Sequence, residues 1–155
     1  MMMKKWLKQT KNEKGLTLVE LLAVVVILGI IAAIAVPSIG NIIENSKKDS
    51  AISNAQQVLN AARLYAAGGG EIDDETTIDY SNTDEDADNL IAEYHEGLVN
   101  PWGDGEVTYT VEFEGGSPLI EMTYSGGKCD IGQGTDGAVN AQFLSSNSRD
   151  DICSE

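Results

Sequence analysis

The chain has 155 residues, enough for one small domain and an extension. It carries 10 Lys and Arg against 25 Asp and Glu, a formal net charge of −15, which argues against a nucleic-acid-binding surface. One histidine and two cysteines leave little material for a zinc site or a histidine-based catalytic centre.

The charges are unevenly placed. Residues 1–15 hold five lysines and one acid, whereas the remaining 140 residues hold five basic and 24 acidic ones. A basic head on an acidic body suggests that the two ends face different compartments. Between them, Leu16 to Val36 is apolar enough and long enough to cross the roughly 30 Å hydrocarbon core of a bilayer. The preceding lysines favour a cytoplasmic N-terminus, with the acidic remainder outside. A signal peptide or plain anchor shares this profile. Glu20 does not suit either. It is the only charged residue between Leu16 and Ile43, and an acid there costs about 2.5–3.5 kcal/mol on insertion scales, so it needs a partner.

The stretch Lys14-Gly15-Leu16-Thr17-Leu18-Val19-Glu20 resembles the processing site of type IV prepilins and related pseudopilins. The resemblance implies cleavage after Gly15 by a prepilin peptidase, N-methylation of Leu16, and an assembly role for Glu20. Leu16 stands where that family most often has Phe. Pro37 falls where many pilins have a proline. The implied architecture is the pilin fold, an α+β arrangement. In it a long N-terminal helix, half transmembrane and half amphipathic, packs on a small antiparallel sheet. The implied organisation is a basic leader over 1–15, an apolar helix over 16–40, an amphipathic helix over 41–67 and an acidic head with a C-terminal loop over 68–155. The implied partners are further copies and other pilins, the peptidase, and a membrane assembly platform.

Pro37 lacks an amide donor, so the helix is expected to kink or melt locally between Gly29 and Gly40. Beyond it, Ile42, Ile52, Ala55, Leu59, Ala62 and Ala66 recur at helical spacing, with Lys47, Lys48, Asp49 and Gln56 on the solvent side. Gly68-Gly69-Gly70 ends the helix.

Residues 71–96 carry eleven acids and no Lys or Arg, and read as a solvated loop with a helical turn within Asn89 to Glu96. Asp84, Asp86 and Asp88 resemble the start of an EF-hand loop. However, Asn89 stands where the turn glycine is needed and His95 where the bidentate Glu is needed. His95 reads as a surface residue. Val107 to Phe113 alternates apolar and polar residues, as a half-buried strand does. Gly115-Gly116-Ser117-Pro118 is a turn and Leu119 to Tyr124 a second strand, giving an antiparallel hairpin. Trp102, in the entry turn Asn100 to Gly105, is expected to cap the core.

The order Asn100-Pro101-Trp102-Gly103, strands, then Gly134-Thr135-Asp136-Gly137 and Asp151-Ile152 resembles major pseudopilins of type II secretion, which bind calcium in C-terminal loops. That resemblance makes Asp130, Asp136 and Asp151 candidate calcium ligands, with no other cofactor expected. Surface acids beside turn glycines are the alternative. Cys129 and Cys153 lie in the part assigned to the outside, where disulfides persist. Many type IV pilins close a C-terminal loop in this way. Two free thiols are the alternative.

The expected function is that of a structural subunit, cut after Gly15 and assembled through its helix into a pilus, or into a pseudopilus of a secretion or competence machine. Before assembly it would be a single-pass membrane protein, and afterwards part of an extracellular filament. The rival is a membrane-anchored acidic, calcium-dependent binding module that never polymerises. An extracellular enzyme is the weakest reading, since no nucleophile elbow or Ser/His/Asp order is present.

Overall fold

The computed structural model describes residues 13–73, 75–82, 91–95, 97–133 and 137–154. Helix α1 covers Glu13–Ala67. Strand β1 covers Thr77–Ser81, β2 Val107–Glu114 and β3 Ser117–Tyr124. The two-residue strand β4, Asp130–Ile131, precedes helices α2, Ala141–Ser146, and α3, Arg149–Ile152. Strand β5 is Cys153–Ser154. The chain forms two compact units that meet between Ile42 and Ile43.

In the first unit, α1 is apolar around its whole circumference. From Leu18 to Ile42 its large aliphatic residues are between 51% and 71% exposed. A helix that is apolar on every side belongs in a membrane or in a shell of other helices. Helical structure continues through Pro37, so the local melting expected between Gly29 and Gly40 does not occur. Pro37 forfeits one backbone bond, and its neighbours Val36, Ser38 and Ile39 stay helical around it.

In the second unit, α1 lays one face on the sheet. Ala51, Ala55, Val58, Leu59, Ala61 and Ala62 are buried there. Four of these are alanines, which let the helix backbone approach the strands closely. Two sequence expectations for this helix are corrected. Ile42 is 62% exposed and lies outside this face. Lys48 is not on the solvent side but buried, at 8% exposure. It sits three residues before Ala51 and so on the inner face, where a lysine stem can pack along apolar neighbours. The helix stops as expected: Gly68 N–H donates to Leu64 O at 2.8 Å and Gly70 N–H to Tyr65 O at 3.1 Å.

The sheet is antiparallel in the order β1-β2-β3-β4-β5. Burial alternates along β2 and β3, placing Val107, Tyr109, Val111, Phe113, Ile120, Met122 and Tyr124 inside. Their hairpin closes through Gly115 and Gly116, with φ of +56° and +77°. Two successive residues in the left-handed region suit the right-handed twist of the flanking strands, and glycine adopts that region without steric cost.

Two segments differ from the sequence reading. Thr77–Ser81, read as loop, is an edge strand paired with β2 from Thr77↔Glu112 to Ser81↔Thr108. Its alternation is short and sits among acids, and Ile78 is its one fully buried side chain. The C-terminal region, read as a loop, holds α2, α3 and two short strands. The helical turn expected within Asn89 to Glu96 is the 3-10 turn Ala92–Tyr94. Asp84, Asp86, Asp88 and Asn89 lie outside the described residues.

Candidate functional site

Gly15 and Leu16 lie in the first turn of α1. Glu20 is exposed and follows Leu16 by four residues, one helical turn or about 6 Å. A chain beginning at Leu16 would leave the amides of Thr17, Leu18 and Val19 without intrahelical acceptors. That end would also carry the positive pole of the helix dipole and a free amine. It would be rich in donors and positive, inside an otherwise apolar surface. A carboxylate from another helix is complementary to it.

In the second unit, the turn before β2 is locked onto α1. Asn100 is buried and makes the turn by itself. Its Oδ1 accepts from Trp102 N–H at 2.9 Å, and its Nδ2 donates to Ser125 O at 3.0 Å. Gly105 is confined there, since a Cβ would run into Ser125 O and Asn100 Nδ2. Trp102 packs against the core and tilts over Tyr124, with ring centroids 5.6 Å apart. Its Nε1 donates to Glu44 Oε1 at 2.8 Å. Asn54 Nδ2 donates to Val99 O at 3.1 Å, and Tyr124 Oη to Ala51 O at 3.1 Å. Burial pushes the Tyr124 phenol well above its ordinary value. Trp102 thus caps the core as expected. The roles of Glu44 and Asn54 were not foreseen. The only signal for them is their position in helical register with the buried face.

His95 is corrected from a surface residue to a half-buried one. Its Nε2 lies 2.9 Å from Tyr109 Oη, and its ring packs edge-on to Tyr80 and Tyr109, which stack on each other at 4.7 Å. Burial, and to a lesser extent Tyr80, raises the Tyr109 phenol far above its ordinary range, so it remains protonated. This cluster is a piece of aromatic core with a polar edge.

Cys129 and Cys153 form a disulfide, with Cα atoms 4.3 Å apart, and both cysteines are buried. The bond ties the start of β4 to β5. Of the candidate calcium ligands, Asp151 is engaged in a capping box. Its Oδ2 accepts from Ser148 Oγ at 2.6 Å and from Ser148 N–H at 3.3 Å, closing the first turn of α3. Asp130 is half-buried in β4, and Asp136 lies outside the described residues. Among the described residues, no three His, Cys, Asp or Glu side chains cluster as metal ligands would.

Residues 10–36 match the family described as the prokaryotic N-terminal methylation motif. Over 59 residues the chain is 32% identical to type II secretion system core protein G of Escherichia coli (strain K12), covering 38% of this chain and 41% of that protein. Over 59 residues it is 41% identical to type IV major fimbrial protein FimA of Dichelobacter nodosus, covering 38% of each. The match therefore spans about two fifths of each curated relative. No solved structure gives a significant match.

Proposed function

We propose that this chain, whose N-terminal segment belongs to the type IV pilin and pseudopilin family, is a structural subunit of an extracellular type IV pilus or pseudopilus. The observation that carries this reading is the first unit of α1. Its apolar residues are exposed on all sides, and one carboxylate, Glu20, stands a helical turn beyond Leu16. So much apolar surface requires a cover, and bilayer and filament supply it in turn.

In this reading a prepilin peptidase cuts after Gly15 and Leu16 becomes the methylated terminus. Before assembly the subunit spans the membrane once, with its N-terminus in the cytoplasm. Cleavage removes the lysines that hold the inner end, which eases extraction by a membrane assembly platform. Helices of neighbouring copies, and of other pilins, then pack side by side. Glu20 of one subunit neutralises the terminal amine of the next. An ion pair in low dielectric is favourable only when both charges meet, so the pair sets axial register. The second unit is displayed on the outside, where its disulfide persists. The chain performs no chemistry of its own.

The test is intact mass and N-terminal sequencing of the protein from its native membrane and from a sheared surface fraction. A chain starting at N-methyl-Leu16 in sheared filaments is the expected result. A chain that keeps its leader beside an active prepilin peptidase, and never leaves the membrane, would overturn the reading and favour an anchored surface module.

A further inference from the structure

On the second unit, α1 and the 3-10 turn Ala92–Tyr94 enclose an open cleft of about 300 Å³. Gln57, Asn60, Ala61 and Leu64 form the α1 wall, and Tyr94 and His95 form the other. Gln57, Asn60 and Leu64 follow one another at helical spacing, so one exposed face of α1 carries all three. The second wall is held in place. His95 Nε2 lies 2.9 Å from Tyr109 Oη, and the Tyr94 ring meets Tyr65 edge-on, with centroids 6.4 Å apart. Leu64 and Tyr94 nevertheless stay 56% and 44% exposed. Among the described residues outside 18–43, the large apolar side chains left this open are Leu64, Tyr94 and Val99, and the first two share this cleft.

Its polar groups are not used within the fold. The Gln57 side chain and the Tyr94 hydroxyl make no hydrogen bond among the described residues, and Asn60 has only a 3.4 Å contact from Arg63 Nη1 to its Oδ1. Each amide offers donors and an acceptor, and the hydroxyl offers both roles. Three other clefts of the second unit carry charge: Lys47 in one, Glu106 and Asp130 in another, and Glu75, Glu112 and Glu114 in a third. Among the described residues, no Lys, Arg, Asp or Glu lines this one.

We propose that this cleft binds one neutral hexopyranose ring of a glycan. A pyranose has an apolar C–H face and a rim of hydroxyls that both donate and accept. Tyr94 and Leu64 match the face, and Gln57, Asn60 and the Tyr94 hydroxyl match the rim. The volume lies at the low end for ligand pockets, which fits a single ring rather than a long ligand. Charge narrows the class. A chain of net charge −15 repels phosphates and acidic sugars, so a nucleotide, whose base would use the same amides, is disfavoured. The site lies within the second unit, goes beyond the subunit reading and does not depend on assembly.

The experiment uses the full chain in a detergent without a sugar headgroup. The probes are the methyl glycosides of glucose, galactose, mannose and N-acetylglucosamine. Saturation-transfer NMR detects weak binding and reports which sugar protons touch the protein. The expected result is millimolar binding of at least one probe, with transfer strongest to the C–H protons of one ring face. Tyr94→Ala is expected to weaken that binding about tenfold and Gln57→Leu about fivefold, through loss of a ring contact and of a hydrogen-bonding group. Both positions are exposed, and near-ultraviolet dichroism checks that each variant is folded. If either unfolds, Asn60→Leu, at an equally exposed position, replaces it with the same expected loss. No transfer to any of the probes overturns the proposal. So does transfer that the variants leave unchanged, since the sugar would then sit elsewhere. Binding of adenosine monophosphate, with none of the sugars, would overturn it in favour of a nucleotide.

Discussion

The indole Nε1 of Trp102 donates to Glu44 Oε1 at 2.8 Å, across 58 residues of sequence, and fastens the turn before β2 to α1. Glu44 is half-buried, so the bond has a charged acceptor partly shielded from water. Such a bond contributes more than a neutral surface one, and removing its donor leaves the half-buried Glu44 carboxylate without this partner. Trp102→Phe keeps most of the ring packing on Tyr124 and removes the donor. It is expected to lower stability by about 1 kcal/mol. Trp102→Ala also removes the ring and is expected to cost about 3 kcal/mol. Unfolding of the full chain in detergent, followed by near-ultraviolet dichroism, would measure both. A Trp102→Phe variant as stable as the parent would mean that the bond contributes nothing beyond packing.

The Cys129–Cys153 bond closes a stretch with a sequence separation of 24 that contains α2 and α3. Neither helix is long enough to be stable alone. Cross-linking the unfolded chain over such a loop gives about 3 kcal/mol in the chain-entropy account. The double variant Cys129→Ser with Cys153→Ser is expected to lose about that much. It should also lose protection first in residues 139–154, which hydrogen exchange can localise. A variant as stable as the parent would show that α2 and α3 hold by packing of Leu144 and Ile152 alone.

Arg149 binds Asp49 through two contacts of 2.7 Å, Nε to Oδ1 and Nη2 to Oδ2, pinning α3 to α1. The guanidinium hydrogen bond holds the Asp49 carboxyl below its ordinary value, despite an opposing desolvation effect. The carboxyl is thus more acidic folded than unfolded. Its contribution is fully present above the unfolded value, near 3.9, and fades as pH falls through the lower folded value. The Asp49 side chain is largely exposed and that of Arg149 about one third exposed, so the effect is small and screened by salt. Asp49→Asn should be slightly less stable than the parent at pH 6, and the gap should close in acid and shrink in 1 M salt. A gap that persisted unchanged below pH 3 would show that the substitution acts through something other than charge.

Where side-chain periodicity was strong, the sequence already held the fold. The hairpin of β2 and β3 was legible because Val107 to Phe113 alternates without interruption and Gly115-Gly116 allows one tight turn. The end of α1 was legible because three glycines follow Ala67. β1 was not, because Asp79 and the acids around it masked an alternation that tertiary pairing with β2 rescues. The charge of Lys48 points to solvent, whereas its register with Ala51 and Ala55 puts it on the buried face. His95 was misplaced for a related reason: its partner Tyr109 is 14 residues away, and no local pattern reports a contact across the sheet edge. Glu20 stands out in the sequence as the lone acid of an apolar run, which marks it as the residue to test.

On the subunit reading proposed above, Glu20 is the residue whose loss separates insertion from assembly. Replacing it with Ala removes the one charge in the apolar run, so membrane insertion should be unchanged or slightly better. Cleavage after Gly15 should also persist, since the apolar run and the Gly15–Leu16 junction are intact. What disappears, on that reading, is the carboxylate that offsets a neighbour's terminal amine, and an unpaired charge in low dielectric costs several kcal/mol at every joint. Glu20→Ala is thus expected to accumulate as processed protein in the membrane fraction, with sheared filaments falling below detection. Glu20→Asp keeps the charge on a shorter arm and should restore part of the yield. Mass spectrometry of the membrane pool, electron microscopy of the sheared fraction and immunoblots of both would separate the steps. Filaments of Glu20→Ala at the parent yield would mean that apolar packing alone fixes the register and that the carboxylate serves some other end.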